Sequence, residues 1–260
     1  MQDMLEPTSG AARDASTVVL LRDTPDGLEV FLMKRSGLSD TFGEAYVFPG
    51  GKLDAHDSSP AALAALNEPA TALAHRLGEP ALHHDTAAAL YVAALRELFE
   101  EAGVLLSAAA HRPAGVSPAD WQAWLAAPAA SLDATALVPW SRWITPRMAA
   151  LSKKRFDTRF FLAMAPHDQI ASHDNHETTE ILWTTPRNAL IQYWQGDIVM
   201  APPQIMSLVH LSRHPHAQSV LAEAQNRRPP VIEPEPFDQD GIRTICYPGD
   251  PRHSVRQAAF

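Results

Sequence analysis

The chain has one cysteine, Cys246, among 260 residues. That excludes an internal disulfide framework and a cysteine-based zinc ribbon. No apolar run is long enough to span a bilayer. Met1 to Asp14 is polar and lacks the apolar core of a secretory leader, so a soluble, cytoplasmic protein is expected. Positive charge is in deficit: the formal net charge is -9 at pH 7, which argues against general binding to nucleic acid or to an anionic membrane surface. No Gly-x-Gly-x-x-Gly or P-loop pattern is present. Histidines cluster as His83-His84, His173 with His176, and His214 with His216. None of these pairs has the helical i, i+4 spacing with a carboxylate partner that a zinc protease needs, so they read as solvent-facing loop residues.

What is present is enough apolar residue, 46% of the chain, for a sizeable core, together with 22 prolines that imply ordered loops and a loosely structured tail. Residues 1–14 read as a disordered N-terminus. Ser16 to Arg22 and Leu28 to Arg35 read as two strands joined by the turn Thr24-Pro25-Asp26-Gly27. Ala45 to Phe48 is a short strand that stops at Pro49-Gly50-Gly51, where two glycines require a sharp turn or a close approach. Residues 58–84 read as one or two inserted short helices. A second helical segment spans 107–136, with a helix start at Ser117-Pro118. Arg155 to Met164 and Glu180 to Trp183 read as strands. Thr185-Pro186 opens a helix to Gln195, and Pro203 to Arg213 is another. From residue 227 to 260 the composition turns to Pro, Glu and Asp, a Pro-rich tail with no core of its own. The body of the domain is therefore 15–226.

The densest chemistry lies in Arg96-Glu97-Leu98-Phe99-Glu100-Glu101-Ala102-Gly103-Val104. At about 100° per residue the three glutamates share an arc of roughly 100° on one helix. Like charges three and four apart repel, so a cation is expected in front of them, and a hard divalent ion suits oxygen ligands. Tyr91, Val92, Leu95, Leu98, Phe99 and Ala102 form an apolar stripe away from the acid. Asp85 or Thr86 is the expected N-cap and Gly103 the C-terminal stop. Arg96, four residues before Glu100, can partly neutralise it.

Gly51, Asp57 and the run from Arg96 to Val104 together resemble the Nudix box. That motif reads Gly, five residues, Glu, seven residues, Arg-Glu, an aliphatic, any residue, Glu-Glu, any residue, Gly, aliphatic. The second half matches at every fixed position. The first half departs twice: Asp57 stands where the motif has Glu, and residues 58–95 fill the place of seven, an insertion of about 31 residues. An insertion there after Phe48-Pro49-Gly50-Gly51 is similar to the Nudix subgroup that includes the peroxisomal coenzyme A diphosphatases. The segments 139–146, 155–161 and 183–186 are similar to it as well. Leu32-Met33-Lys34-Arg35-Ser36 resembles the start of a coenzyme A signature, without its second arginine.

The resemblance implies an α/β/α Nudix sandwich (α+β), with a mixed, largely antiparallel sheet and helical insertions. It implies a hydrolase that cleaves the diphosphate bond of a nucleoside diphosphate linked to another group, coenzyme A or an acyl-CoA among the candidates, with Mg²⁺ or Mn²⁺ as cofactor. Glu97, Glu100, Glu101 and the Gly51 carbonyl are then the metal ligands. Glu97 and Glu100 are the catalytic carboxylates, and Arg96 orients them. The base toward water is one of these or a late glutamate, Glu177 or Glu180. Lys34, Arg35, Lys52 and Arg159 are candidate phosphate contacts. NADH, ADP-ribose and nucleotide sugars are alternative substrates, and a catalytically weak nucleotide sensor is the alternative role. A homodimer through the Ala-rich insertions is a candidate assembly. Trp121 and Trp124 read as a core face, and Cys246 lacks a nearby base.

Overall fold

Two apolar runs set the architecture. β1 (Arg13–Thr24) and β2 (Gly27–Arg35) form a hairpin around Pro25-Asp26, with Leu21 opposite Val30 and Thr24 opposite Gly27. Both strands are apolar at successive positions because both faces are covered. Val18, Leu20, Phe31 and Met33 point into one core, while Val19, Leu21, Val30 and Leu32 point into the other. The computed structural model describes residues 11–36, 43–108, 120–127, 130–147, 154–172 and 178–259. β1 therefore begins at Arg13, inside the segment expected to be disordered.

β3 (Tyr46–Val47) pairs with β2, and β4 (Gly50–Lys52) pairs with β1. A 3₁₀ turn, Ala55–Ser58, leads to α1 (Pro60–Ala64) and α2 (Ala70–Leu77), the helices of the first insertion. The long α3 (His84–Ala102) and the short α4 (Trp121–Leu125) complete that layer. The expected start at Ser117-Pro118 lies outside the described residues. β5 (Val138–Ile144), β6 (Phe156–Met164) and β7 (Thr178–Thr184) fill the sheet. The opposite layer holds α5 (Pro186–Gln195), α6 (Pro202–Leu211) and α7 (Ala217–Gln225). β8 (Val231–Ile232) then joins the sheet, and β9 (Glu235–Gln239) and β10 (Ile242–Cys246) form a separate hairpin.

The main sheet runs β3-β2-β1-β6-β5-β8, with β4 on β1 and β7 on β2. β1 with β6 and β5 with β8 are parallel; the other pairs are antiparallel. This is the expected α/β/α sandwich with a mixed, largely antiparallel sheet.

Three differences from the sequence reading have local causes. β5 contains Pro139, which demotes a strand; a register shift between Pro139 and Ser141 accommodates it. α7 has no side-chain cap of its own, and its first N–H, at Ala217, donates instead to Asp23 Oδ1, at 2.8 Å, from the distant β1–β2 turn. The tail is not loose. β8 continues the sheet beside Arg142 and Trp143, and His253, 3% exposed, sits with Nε2 2.8 Å from the Glu233 carbonyl.

Candidate active site

α3 positions the acidic cluster, and its packing differs from the expected one-sided helix. From Ala87 to Phe99 every residue but Glu97 is buried, because the sheet covers one side and α1, α2 and α4 cover the other. Tyr91 stacks at 4.8 Å on Phe161, and Phe99 lies 5.8 Å from Trp121, which itself packs at 5.5 Å on Trp124. The N-cap is His83, whose Nδ1 accepts the Asp85 N–H at 3.3 Å, rather than Asp85 or Thr86. The imidazole acceptor two residues earlier leaves Asp85 within the first turn. Gly103 ends the helix at φ 66°, a left-handed conformation that favours glycine. Beyond its exposed first turn, only the last turns of α3 open to the surface, and these carry the glutamates.

β4 reaches that end by wedging into the hairpin. If β1–β2 pairing continued, Lys34 and Arg35 would lie opposite Thr17 and Ser16. Gly50 and Gly51 occupy those partners' edges instead. The wedge leaves no room for side chains. A Cβ on Gly50 would fall 2.5 Å from the Ser16 carbonyl oxygen, and one on Gly51 would fall 2.3 Å from Glu97 Oε1. The Gly50 N–H donates to Glu101 Oε2 at 2.8 Å, fixing the third glutamate against the turn.

Arg96 organises the rest. It is buried, and its Nε and Nη2 form a bidentate pair with Asp57 at 2.7 and 2.9 Å. Nη1 donates to Glu97 Oε1 at 2.9 Å and to Glu100 Oε2 at 2.8 Å, and Nη2 also reaches the Lys52 carbonyl at 3.2 Å. Asp57 itself is 1% exposed and closes a capping box by accepting the Asp54 N–H at 2.8 Å. The aspartate that departs from the motif thus anchors the arginine. The shorter acid is brought within reach by the 3₁₀ turn that holds it, and the insertion loops out beyond Ser59.

The electrostatics follow. Burial alone would lower the Arg96 pKa, but the Asp57 pairing and the Glu97 and Glu100 charges outweigh it and raise it. Burial pushes the Glu97 carboxyl up to about 7 despite Arg96, with Glu100 and Asp57 adding to the rise. A carboxylate held so reluctantly ionised favours a cation beside it. Glu97, Glu100, Glu101 and the Gly51 backbone form a cradle that fits a hard divalent ion.

The other expected residues divide. Lys52 is exposed at the rim, on the strand whose carbonyl Arg96 holds. Lys34 and Arg35 end β2 beside the wedge; Lys34 pairs with Glu44 at 2.9 Å, and the Arg35 N–H donates to the Ala45 carbonyl at 2.9 Å. Glu180 stands opposite Lys34 and hydrogen-bonds Tyr46, whose hydroxyl burial and Glu180 push up to about 12, so its partners are not the box glutamates. Glu177 lies outside the described residues, as do His173 and His176. Arg159 is not brought to the cluster. It is 3% exposed, and its guanidinium is taken up by Glu79 at 2.9 and 2.7 Å, by the Asp157 carbonyl at 3.0 Å and by Asp14. A phosphate would have to displace those acids. The sequence reading also overlooked His210, which shares a helix-end spacing with His214 and a carboxylate partner in Glu223. Reading His214 with its nearer neighbour His216 hid that spacing.

Comparison with known proteins identifies the family and the fold. A family model described as the NUDT19 Nudix domain matches residues 12–211. The acyl-coenzyme A diphosphatase NUDT19 of Gallus gallus is 31% identical over 261 residues, covering 76% of this chain and 68% of that protein. Its Homo sapiens counterpart is 28% identical, covering 82% of this chain and 72% of that one. The crystal structure of a NUDIX hydrolase from Alicyclobacillus acidocaldarius superposes with a TM-score of 0.67 at 28% identity, over 82% of this chain and 97% of that one. Fold and site thus define a hydrolase of the Nudix type. The chain belongs to the NUDT19 Nudix domain family.

Proposed function

We propose that this enzyme is a Mg²⁺- or Mn²⁺-dependent diphosphatase acting on coenzyme A or an acyl-CoA. The single observation that carries the chemistry is the Arg96 fork, which gathers Glu97 and Glu100 while Gly50 holds Glu101. The coenzyme A assignment is supported by the acyl-coenzyme A diphosphatases among its relatives.

The ligands would be Glu97, Glu100, Glu101 and the Gly51 carbonyl. A divalent ion held there supplies neutralisation of the diphosphate charge and a water made acidic enough to attack. Arg96 keeps the carboxylates in one orientation, so no reorganisation is needed during reaction. Whichever of Glu97 and Glu100 is less engaged as a ligand accepts the proton of the attacking water. Lys52 at the rim, with Arg35 at the end of β2, meets the anionic substrate. Burial around α3 keeps bulk water from the inner side of the carboxylates.

Product analysis on CoA, acetyl-CoA, NADH, ADP-ribose and UDP-glucose, with Mg²⁺ or Mn²⁺, tests the reading. Release of 3′,5′-ADP from the CoA substrates, lost in Glu100→Gln, is the expected result. Cleavage of another member instead would keep the site and discard coenzyme A. A folded protein that cleaves none of them would favour a nucleotide-binding role. Among the described residues no helix is long and apolar enough to cross a membrane.

A further inference from the structure

The sheet face opposite α3 carries a second constellation that diphosphate hydrolysis does not use. His210 stands in the last turn of α6, His214 follows just beyond its cap at Ser212, and Glu223 lies in the last turn of α7. One carboxylate serves both rings. His210 Nε2 is 3.0 Å from Glu223 Oε1, and His214 Nε2 is 3.2 Å from Glu223 Oε2. The two imidazoles stack, with centroids 5.5 Å apart and planes at 15°, and Trp140 of β5 packs edge-on against His210 at 5.6 Å. One ligand atom from each of the three side chains lies within 4.8 Å of the others. Arg227 Nε also pairs with Glu223 Oε1, at 3.2 Å.

The hydrogen bonds around His214 say what must lie between these groups. The Ser219 hydroxyl donates its proton to the His216 carbonyl at 2.7 Å. A hydroxyl has one proton to give, so its oxygen must accept from His214 Nδ1, 3.1 Å away. His214 therefore carries its proton on Nδ1, and when neutral it turns the Nε2 lone pair toward the Glu223 carboxylate. Two acceptors 3.2 Å apart need a cation between them, either a proton or a metal. A second-sphere partner fixing Nδ1–H so that Nε2 is free is the arrangement that metal-bound histidines use.

We propose that His210, His214 and Glu223 form a second metal site, for a borderline divalent transition ion of the Zn²⁺ kind. A tetrahedral ion with bonds of about 2.0–2.1 Å separates its ligand atoms by about 3.3 Å. The two nitrogen–oxygen distances here are 3.0 and 3.2 Å, each to its own carboxylate oxygen, and the three side chains offer atoms within 4.8 Å of one another, so they need to close only slightly around an ion. Two imidazoles and one carboxylate select such an ion over Mg²⁺, which takes oxygen. Glu223 is 40% exposed, so water can complete the shell. The ion clamps α6 to α7, whose start is in turn tied to the β1–β2 turn through Asp23.

The test uses the full chain stripped with a chelator. Zn²⁺ is titrated calorimetrically in excess Mg²⁺, which fills the glutamate cradle, and Co²⁺ is added separately for its visible spectrum. One equivalent of Zn²⁺ should bind to the wild type and to Glu97→Gln alike, with tetrahedral Co²⁺ bands in both. His214→Ala and the size-conserving Glu223→Gln should weaken binding by about a hundredfold, and Ser219→Ala by about tenfold. A Zn²⁺ equivalent that vanishes in Glu97→Gln would overturn the proposal. So would its absence from the wild type, or unchanged binding in Glu223→Gln; the histidines would then share a proton with Glu223 and nothing more. If His214→Ala fails to fold, Glu223→Gln and Ser219→Ala decide the matter.

Discussion

Two buried arginines on the α3 side of the sheet hold acid in opposite ways. Arg96 faces Asp57, Glu97 and Glu100, with Glu101 held beside them by Gly50. Arg159 faces Asp14, Glu79 and Asp157, but Arg142 shares that cluster, at 2.8 Å from Glu79 and 2.5 Å from Asp157. Among the described residues, one positive charge meets four acids at the first hub; at the second, two meet three. The second is nearly balanced and pins the N-terminal end of β1, the α2–α3 loop and β6 together. Among the described residues the first holds more acid than base, at the open end of a helix. An unbalanced buried cluster is unstable by itself, so the imbalance is tolerable only where a cation can arrive. Ion-pair geometry looks alike at the two hubs, and the balance of charge among the described residues is what separates them.

The sharpest way to break this contrast is to neutralise one acid at each hub. Glu100→Gln should lower kcat by about 10²–10⁴, the range for loss of a positioned catalytic carboxylate, while leaving the melting temperature unchanged or slightly raised. Glu79→Gln should do the reverse. It leaves two guanidiniums short of a partner and should cost about 3 kcal/mol of stability, with kcat retained at temperatures where the variant is folded. Steady-state rates and denaturant unfolding of both variants decide the point. If Glu79→Gln abolished activity in a stable protein, the second hub would belong to the site.

Asp57→Ala should combine both effects. It strips the buried Arg96 of its bidentate partner and opens the capping box, so a loss of about 3–5 kcal/mol is expected, together with reduced kcat because Glu97 and Glu100 lose their common anchor. A folded Asp57→Ala variant with normal kcat would show that the fork merely staples the insertion to α3.

Much of this hub was readable in the chain, and the reasons differ by residue. Arg96, Glu97, Glu100, Glu101 and Gly51 are legible because helical spacing and a sharp turn are local properties. Asp57 was ambiguous, since an acid one carbon shorter can serve only if backbone elsewhere brings it closer, and the Asp54 capping box that does so involves the fold of the insertion. Arg159 misled for the converse reason. Its strand was evident, but its acid partners Asp14 and Glu79 lie 145 and 80 residues away in sequence. The sandwich was legible through the resemblance of the box, and the β1–β2 hairpin through its apolar runs, whereas β5 was hidden by Pro139 and α7 by a cap borrowed from Asp23. His210 and His214 stand four residues apart, a local signal masked by the nearer His216, but Glu223 joins them from another helix, which no local pattern announces.

The burial of Glu97 at the first hub, with Glu100 and Asp57 adding to it, also predicts a pH dependence. The unfolded chain releases the Glu97 proton near the ordinary 4.5, whereas the folded chain keeps it until about 7. Stability from this group is therefore full below about 4.5 and is lost as pH rises through about 7. The side chain is only 13% exposed, so little of the effect is screened. In chelator, the metal-free protein should lose on the order of 2–3 kcal/mol between about pH 5 and about pH 8 relative to Glu97→Gln. Saturating Mg²⁺ should remove most of that difference, because the ion replaces the proton. A wild-type minus variant difference that stays flat with pH would place Glu97 in a better solvated setting.

The smallest expected effect separates the rim from the hub. Lys52 is exposed, and its backbone, not its ammonium, serves Arg96 through the carbonyl at 3.2 Å. Lys52→Ala keeps that carbonyl, so the carboxylates should stay in place and kcat should barely move. An exposed ammonium meeting a phosphate contributes about 1 kcal/mol at low salt, equivalent to roughly a fivefold rise in KM. The difference should shrink as salt screens the pair. A kcat loss instead would mean that the side chain reaches the reacting phosphate. An unchanged KM at low ionic strength would leave Arg35, at the end of β2, as the cation that receives the substrate.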